Sequence, residues 1–325
     1  MACEDDDAPV DTFTESMFVE IPDGFPALDF PEDNAFSEER YVLGKKLFFD
    51  PILSRDSSVS CGSCHRPSRA FGDMVPLSNG VGGAIGNRNS PSLANIGYHP
   101  YFLREGGVPT LEMQVLVPIQ EHSEFDFNVV LIAERLAHDP IYTAMCQKAY
   151  GRDPDPFCIT RAISTFERTL VSGDSRYDQY AFQGDISALT SAEINGMDLF
   201  FSEDLACSSC HSGFNFTNYS FENNGLYEVY LDKGRALLTN QPDDEALFKV
   251  PTLRNVGLTA PYMHDGSMET LLEVILHYES GGVKHVNKSP EVKGFELTNQ
   301  ERKDLIAFLN SLSDYEFIND PNHQP

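Results

Sequence analysis

The 325-residue chain has no tryptophan, no apolar run of membrane-spanning length, and few positive charges, with 23 Lys and Arg against 50 Asp and Glu. The first lack leaves no indole to serve as an oxidisable group. The second excludes a transmembrane helix, which needs about 20 consecutive apolar residues. The third gives a net charge of −27 and excludes nucleic acid as a partner, because a polyanion would be repelled. So acidic a surface suits plain solvation, or the electrostatic steering of a small basic partner. The opening Met1-Ala2-Cys3-Glu4-Asp5-Asp6-Asp7 reads as a mature start with an initiator Met added.

What is present fits a globular chain. Hydrophobic residues make up 41%, and the length allows two domains, each with its own core. The seven cysteines fall into distinct groups. Cys61 and Cys64 form a C-x-x-C-H motif with His65, and Cys207 and Cys210 form another with His211. Cys146 and Cys158, twelve residues apart, read equally as a disulfide formed in an oxidising compartment or as two buried thiols. Cys3, followed by an acidic run, resembles the lipid-bearing N-terminus of a bacterial lipoprotein, with an ordinary tail as the alternative.

The two halves repeat one module. Gly44-Lys45-Lys46-Leu47-Phe48-Phe49 precedes the first motif as Gly196-Met197-Asp198-Leu199-Phe200-Phe201 precedes the second. Pro91-Ser92-Leu93-Ala94-Asn95-Ile96-Gly97 parallels Pro251-Thr252-Leu253-Arg254-Asn255-Val256-Gly257. The register then holds to Gly106 and Gly266, and to Thr110-Leu111 and Thr270-Leu271. We expect an N-terminal tail over 1–35, a first module over 36–180 and a second over 181–325. Thr190 with Glu193, and Thr298 with Glu301, are capping boxes that open helices, the latter running from Asn299 to about Leu312. Val129 to Tyr150 and Ile159 to Leu170 also read as helical, and the stretch rich in Gly, Pro and Asn from Ser78 to Pro91 as a long loop. The expected fold is mostly α: two cytochrome c-like haem domains with long loops.

C-x-x-C-H attaches haem through two thioethers and offers its His as the proximal iron ligand. Two thiols three residues apart meet the two vinyl groups on one haem edge, and the next residue points at the iron. Zinc needs four ligands, and each motif supplies three. Two covalently bound haem c groups are therefore expected. Their attachment implies assembly in the bacterial periplasm.

The repeat predicts one capped iron and one open iron. In the second module Leu271, Val274, Ile275 and Tyr278 share a helical face that should look toward the haem. Tyr278 is thus the candidate sixth ligand of the second iron, with His277, Met263 and Met268 as rivals. The equivalent residue of the first module is Pro118, which cannot ligate iron. A haem with no sixth protein ligand can bind peroxide. Near Pro118 in sequence lie Gln114, His122 and Glu124. A carboxylate over an open iron can carry a proton from one peroxide oxygen to the other, and a carboxamide can orient the bound oxygen.

From about Phe36 to Leu312 the chain resembles the bacterial di-haem cytochrome c peroxidase and MauG family. The residues that carry the resemblance are the two haem motifs, Arg88-Asn89-Ser90-Pro91, Gln114 with Pro118 and Glu124, Val250-Pro251-Thr252-Leu253-Arg254-Asn255, and Pro261-Tyr262-Met263-His264-Asp265-Gly266. The resemblance implies a peroxidatic N-terminal haem and a C-terminal electron relay. Gln114 and Glu124 would be the catalytic pair, with Glu124 as acid/base. Asn89 and the backbone carbonyls of Thr259 and Pro261 would hold a calcium ion between the haems. Three departures stand out. Val81 holds the place of a distal His that leaves the iron on reductive activation in many members. Tyr278 stands where those peroxidases use Met, which is the pattern of the MauG branch. Arg104 aligns with a Trp commonly placed between the haems, so charge sharing between the irons loses its aromatic bridge.

Three functions are in view. The first is reduction of hydrogen peroxide with electrons from a small cytochrome c or cupredoxin. The second is MauG-like, peroxide-dependent oxidation of residues on a protein partner. The third is non-catalytic di-haem electron transfer, against which Gln114 and Glu124 argue. The expected location is the periplasm, with a lipid anchor at Cys3 and a homodimer left open.

Overall fold

A computed structural model describes residues 18–325. Cys3 and its proposed lipid lie outside the described residues.

The first module opens with helix α1 (Glu38–Phe49) and the one-turn α2 (Cys61–Cys64). After a long loop come α3 (Leu111–Gln114), α4 (Leu116–Gln120), α5 (Val129–Ala137), α6 (Pro140–Tyr150) and α7 (Pro156–Arg168). The second module follows with α8 (Arg176–Ala181), α9 (Ser191–Phe200), α10 (Cys207–Cys210), α11 (Ala236–Thr239), α12 (Leu271–Glu279), α13 (Asn299–Ser311) and α14 (Tyr315–Asn319). The regular sheet among the described residues is a short antiparallel pair, β1 (Phe221–Glu222) with β2 (Phe248–Lys249).

The structure reproduces the sequence repeat. Helix α1 packs on α7, and α9 packs on α13, the two most extensive helix pairs in the molecule. Each pairing turns on one glycine. A Cβ on Gly44 would run into the Ala162 carbonyl oxygen, and one on Gly196 into that of Asp304. Only a residue without a side chain lets the backbones approach so closely. A matching phenylalanine cluster lies in each core. Phe48, Phe49, Phe71 and Phe166 form the first, and Phe48 and Phe166 have centroids 5.0 Å apart. Phe200, Phe216 and Phe308 form the second, with Phe200 and Phe308 at 5.2 Å, and the exposed Phe201 lies at its edge. Both predicted capping boxes are present, at Thr190 with Glu193 and at Thr298 with Glu301.

The helical stretch expected from Val129 to Tyr150 is two helices. Pro140 lacks the amide that would continue the first, and it takes the first turn of the second. Asp139 caps that start by accepting the Ile141 amide at 2.8 Å. The thiols of Cys146 and Cys158 meet where α6 packs near α7, with the sulfurs 2.8 Å apart and both sealed from solvent.

The chain ends tie the modules together. Residues 18 to 35 are anchored at points: Phe18 joins the first core, Phe25 lies 4.7 Å from Phe214 of the second module, and Asn34 is fully buried. Helix α8 ends near residue 180, yet its Tyr177 packs against Phe216 and Phe308 of the second core. At the far end α14 crosses back. Phe317 packs into the first core against Phe71, and the Tyr41 hydroxyl donates to the Asn322 carbonyl at 2.5 Å.

Candidate functional site

Each C-x-x-C-H segment is one helical turn whose following His is aimed by a backbone carbonyl. His65 Nδ1 lies 2.8 Å from the Phe71 carbonyl oxygen, and His211 Nδ1 lies 3.1 Å from that of Phe216. Burial pushes both imidazoles below the ordinary histidine range, so each ring is neutral. A neutral ring that donates from Nδ1 keeps its Nε2 lone pair for a metal. Burial also pushes the Cys207 thiol up to about 12 and the Cys210 thiol up to about 11, which disfavours the thiolate that zinc or dithiol redox chemistry needs. Two thiols, an oriented imidazole and a phenylalanine wall in each module fit covalently attached haem.

The surroundings of the two histidines differ. In the first module the chain after α4 folds back on itself. The Phe125 amide donates to the Pro118 carbonyl at 3.2 Å, and the Val81 amide donates to the Glu124 carbonyl at 2.8 Å. A Cβ on Gly80 would strike the Ser123 and Glu124 carbonyl oxygens. Val81, which has no ligating atom, is buried in the first core. Glu124 is an exposed residue, although protein crowds its carboxyl. Its charge reaches the thiols of Cys61 and Cys64. Burial, then the charge of Glu121, pushes its carboxyl up to about 7. Gln114 closes α3, a helix whose first turn is capped by the Thr110 hydroxyl. His122 is not part of this group. It faces solvent and pairs with Asp126 at 2.6 Å.

In the second module Leu271 and Ile275 are buried on the inward face of α12, with Val274 and Tyr278 half-buried along it. Tyr278 is close enough to Cys207 and Cys210 for their charges to act on it. Burial pushes its hydroxyl up to about 12, although a hydrogen bond from Asn224 opposes this. The rivals are engaged elsewhere. His277 Nε2 is 2.9 Å from the Asn224 carbonyl oxygen. Met263 Sδ accepts from Asn224 Nδ2 at 3.2 Å, and Met268 packs beside Leu226 and Tyr230.

Asn89 sits at the seam between modules. Its amide donates to the His264 carbonyl at 2.9 Å, and its side-chain nitrogen donates to the Val75 and Pro76 carbonyls. Asn89 Oδ1 and the carbonyls of Thr259 and Pro261 accept no hydrogen bond from any described residue. Such oxygens suit a hard cation. One group escaped the sequence reading. Glu167 on α7 is buried, with Oε2 unpartnered. Burial pushes its carboxyl up to about 8, and its charge acts on Cys61. Its only sequence signal is a place on a helix whose residues are almost all buried.

Residues 38–187 match a sequence profile described as di-haem cytochrome c peroxidase, and residues 194–313 match one described as cytochrome c. The chain is 38% identical to methylamine utilization protein MauG of Methylorubrum extorquens, over 87% of this chain and 80% of that one. The chain belongs to the di-haem cytochrome c peroxidase family. It is also 33% identical to cytochrome c551 peroxidase of Pseudomonas aeruginosa, over 92% of this chain and 84% of its relative. Among solved structures, a MauG-like protein associated with microbial copper homeostasis superposes with a TM-score of 0.89 at 36% identity, covering 94% of this chain and 98% of that one. Membership brings two haem c groups and the mostly helical pair of cytochrome c-like domains. No helix among the described residues is long and apolar enough to cross a membrane.

Proposed function

We propose that this member of the di-haem peroxidase family reduces hydrogen peroxide to water in the periplasm, taking electrons from a small cytochrome c or cupredoxin. Peroxide, two electrons and two protons give two waters. Cys61, Cys64 and His65 hold the haem of the reacting site, and Cys207, Cys210 and His211 hold the relay. Haem held by Cys61, Cys64 and His65 would supply the redox chemistry that splits the O–O bond. The observation that carries the reading is the Glu124 carboxyl, poised near neutrality beside the first haem-attachment segment. As a carboxylate it takes a proton from one peroxide oxygen and returns it to the other, the role of a general acid/base. The Gln114 carboxamide orients the same oxygens. Val81 would offer no ligating atom to iron held by His65, whereas Tyr278 would offer its hydroxyl oxygen to iron held by His211. Asn89 with the Thr259 and Pro261 carbonyls would hold calcium.

The test is Glu124→Gln. The variant keeps both haems and loses about 10²-fold or more of its peroxide turnover. Turnover near the wild-type level would remove Glu124 as the proton carrier. Unreactive resting protein with side chains on both irons would leave only a carrier of electrons. Tyr278 and Val81 favour a second reading, MauG-like oxidation of residues on a protein partner. It predicts peroxide consumption without a small redox donor once that partner is added.

A further inference from the structure

The seam between the modules is built from two matching loops that exchange backbone hydrogen bonds. Asn89 donates its amide to the His264 carbonyl at 2.9 Å, and Lys249 donates its amide to the Arg104 carbonyl at 2.6 Å. These residues occupy equivalent places in the repeat, two before Pro91 and two before Pro251. The carbonyls of those prolines lie against the rings of His65 and His211. Arg104 therefore joins the loops behind the two histidines. Its Nη2 donates to the Asn89 carbonyl at 2.7 Å.

The groups collected here are short of acceptors. Lys249 Nζ donates to the Tyr101 carbonyl at 2.9 Å and to His99 Nδ1 at 3.2 Å. An ammonium can only donate, so His99 Nδ1 accepts and its proton sits on Nε2. That Nε2 is shut off from solvent without a partner, as are Arg104 Nε and the Tyr98 hydroxyl. Neither Arg104 nor Lys249 pairs with a carboxylate of a described residue, because the nearby Glu105 and Asp232 are taken by Arg88. Half-buried cations without a directly paired carboxylate are costly. Two cations and two neutral donors around one seam call for an acceptor that carries negative charge.

We propose that Arg104, Lys249 and His99 form a carboxylate seat that receives haem propionate groups at the seam between the modules. The assignment rests on the two-haem reading. Arg104 acts as a positioning residue and as a fixed positive charge shared by both centres, in the place where the family commonly has an aromatic ring. A positive charge beside a haem favours the reduced iron, which carries one positive charge fewer.

The experiment is redox titration of each haem in the intact holoprotein, followed by its absorbance. Arg104→Gln lowers the potential of at least one haem, shifting its reduced-to-oxidised ratio about tenfold at fixed potential, equal to 59 mV for one electron. Lys249→Gln lowers it in the same direction, and it provides the reading if Arg104→Gln does not fold. Arg104→Lys keeps the charge and restores most of the shift. Unchanged potentials in both Gln variants, with two haems per chain, would overturn the seat. So would Arg104→Lys shifting the potential as far as Arg104→Gln, since packing alone would then explain the effect. Fewer than two haems in the unaltered protein would count against the two-haem reading instead.

Discussion

In the proposed function Glu124 and Tyr278 carry the asymmetry between the two centres. A carboxyl pushed up to about 7 is mostly protonated below that pH, and a protonated carboxyl cannot accept a proton. Turnover should therefore fall as pH drops through about 7, and Glu124→Gln should lose that acid limb, as a pH–rate profile will show. If Tyr278 ligates the second iron, Tyr278→Phe should change the spectrum of that haem from six-coordinate to five-coordinate and leave the first unchanged. An identical spectrum would free Tyr278 of the role. At this scale the sequence was most legible where covalent spacing dictates chemistry. Cys61-x-x-Cys64-His65 and its counterpart needed no fold to be read. It was less legible where direction matters. His122 lies two residues from Glu124, yet the turn points it outward to Asp126. Glu167, His99 and Lys249 could not be singled out, because their surroundings come from segments distant in the chain.

Helices α1 and α9 show how the fold sets the histidines. Each lays a glycine on its partner helix, so Phe48 and Phe200 that follow reach the cores. Gly44→Ala and Gly196→Ala should each destabilise by about 1–3 kcal/mol, measured by denaturant unfolding. Stability unchanged by either substitution would show that the helices move apart without loss. The sequence reading placed α9 and α13 by their capping boxes and α7 by its periodicity, all local signals, but it named no helix at α1. It overran at Pro140, where one continuous apolar pattern conceals a break and a fresh cap at Asp139. The loops were legible as loops but not in shape. Their course is set by exchanged bonds such as Val81 to Glu124, between residues more than forty apart.

The whole molecule is a repeated module joined about its seam, and its surplus of acid is large, at −27. A basic donor should reach it faster in low salt, and the second-order rate of electron delivery should fall steeply as ionic strength rises. A rate indifferent to salt would assign the charge to solvation alone. The repeat made the two-module plan readable from sequence. The crossing of the C-terminus was not, because Phe317 and His323 carry no pattern that names the other half as their site. That crossing ties the fate of one half to the other. Phe317 covers Phe71 and the Tyr41 hydroxyl grips the Asn322 carbonyl, so a cut just ahead of Tyr315 would strip the lid from a core far upstream in the chain.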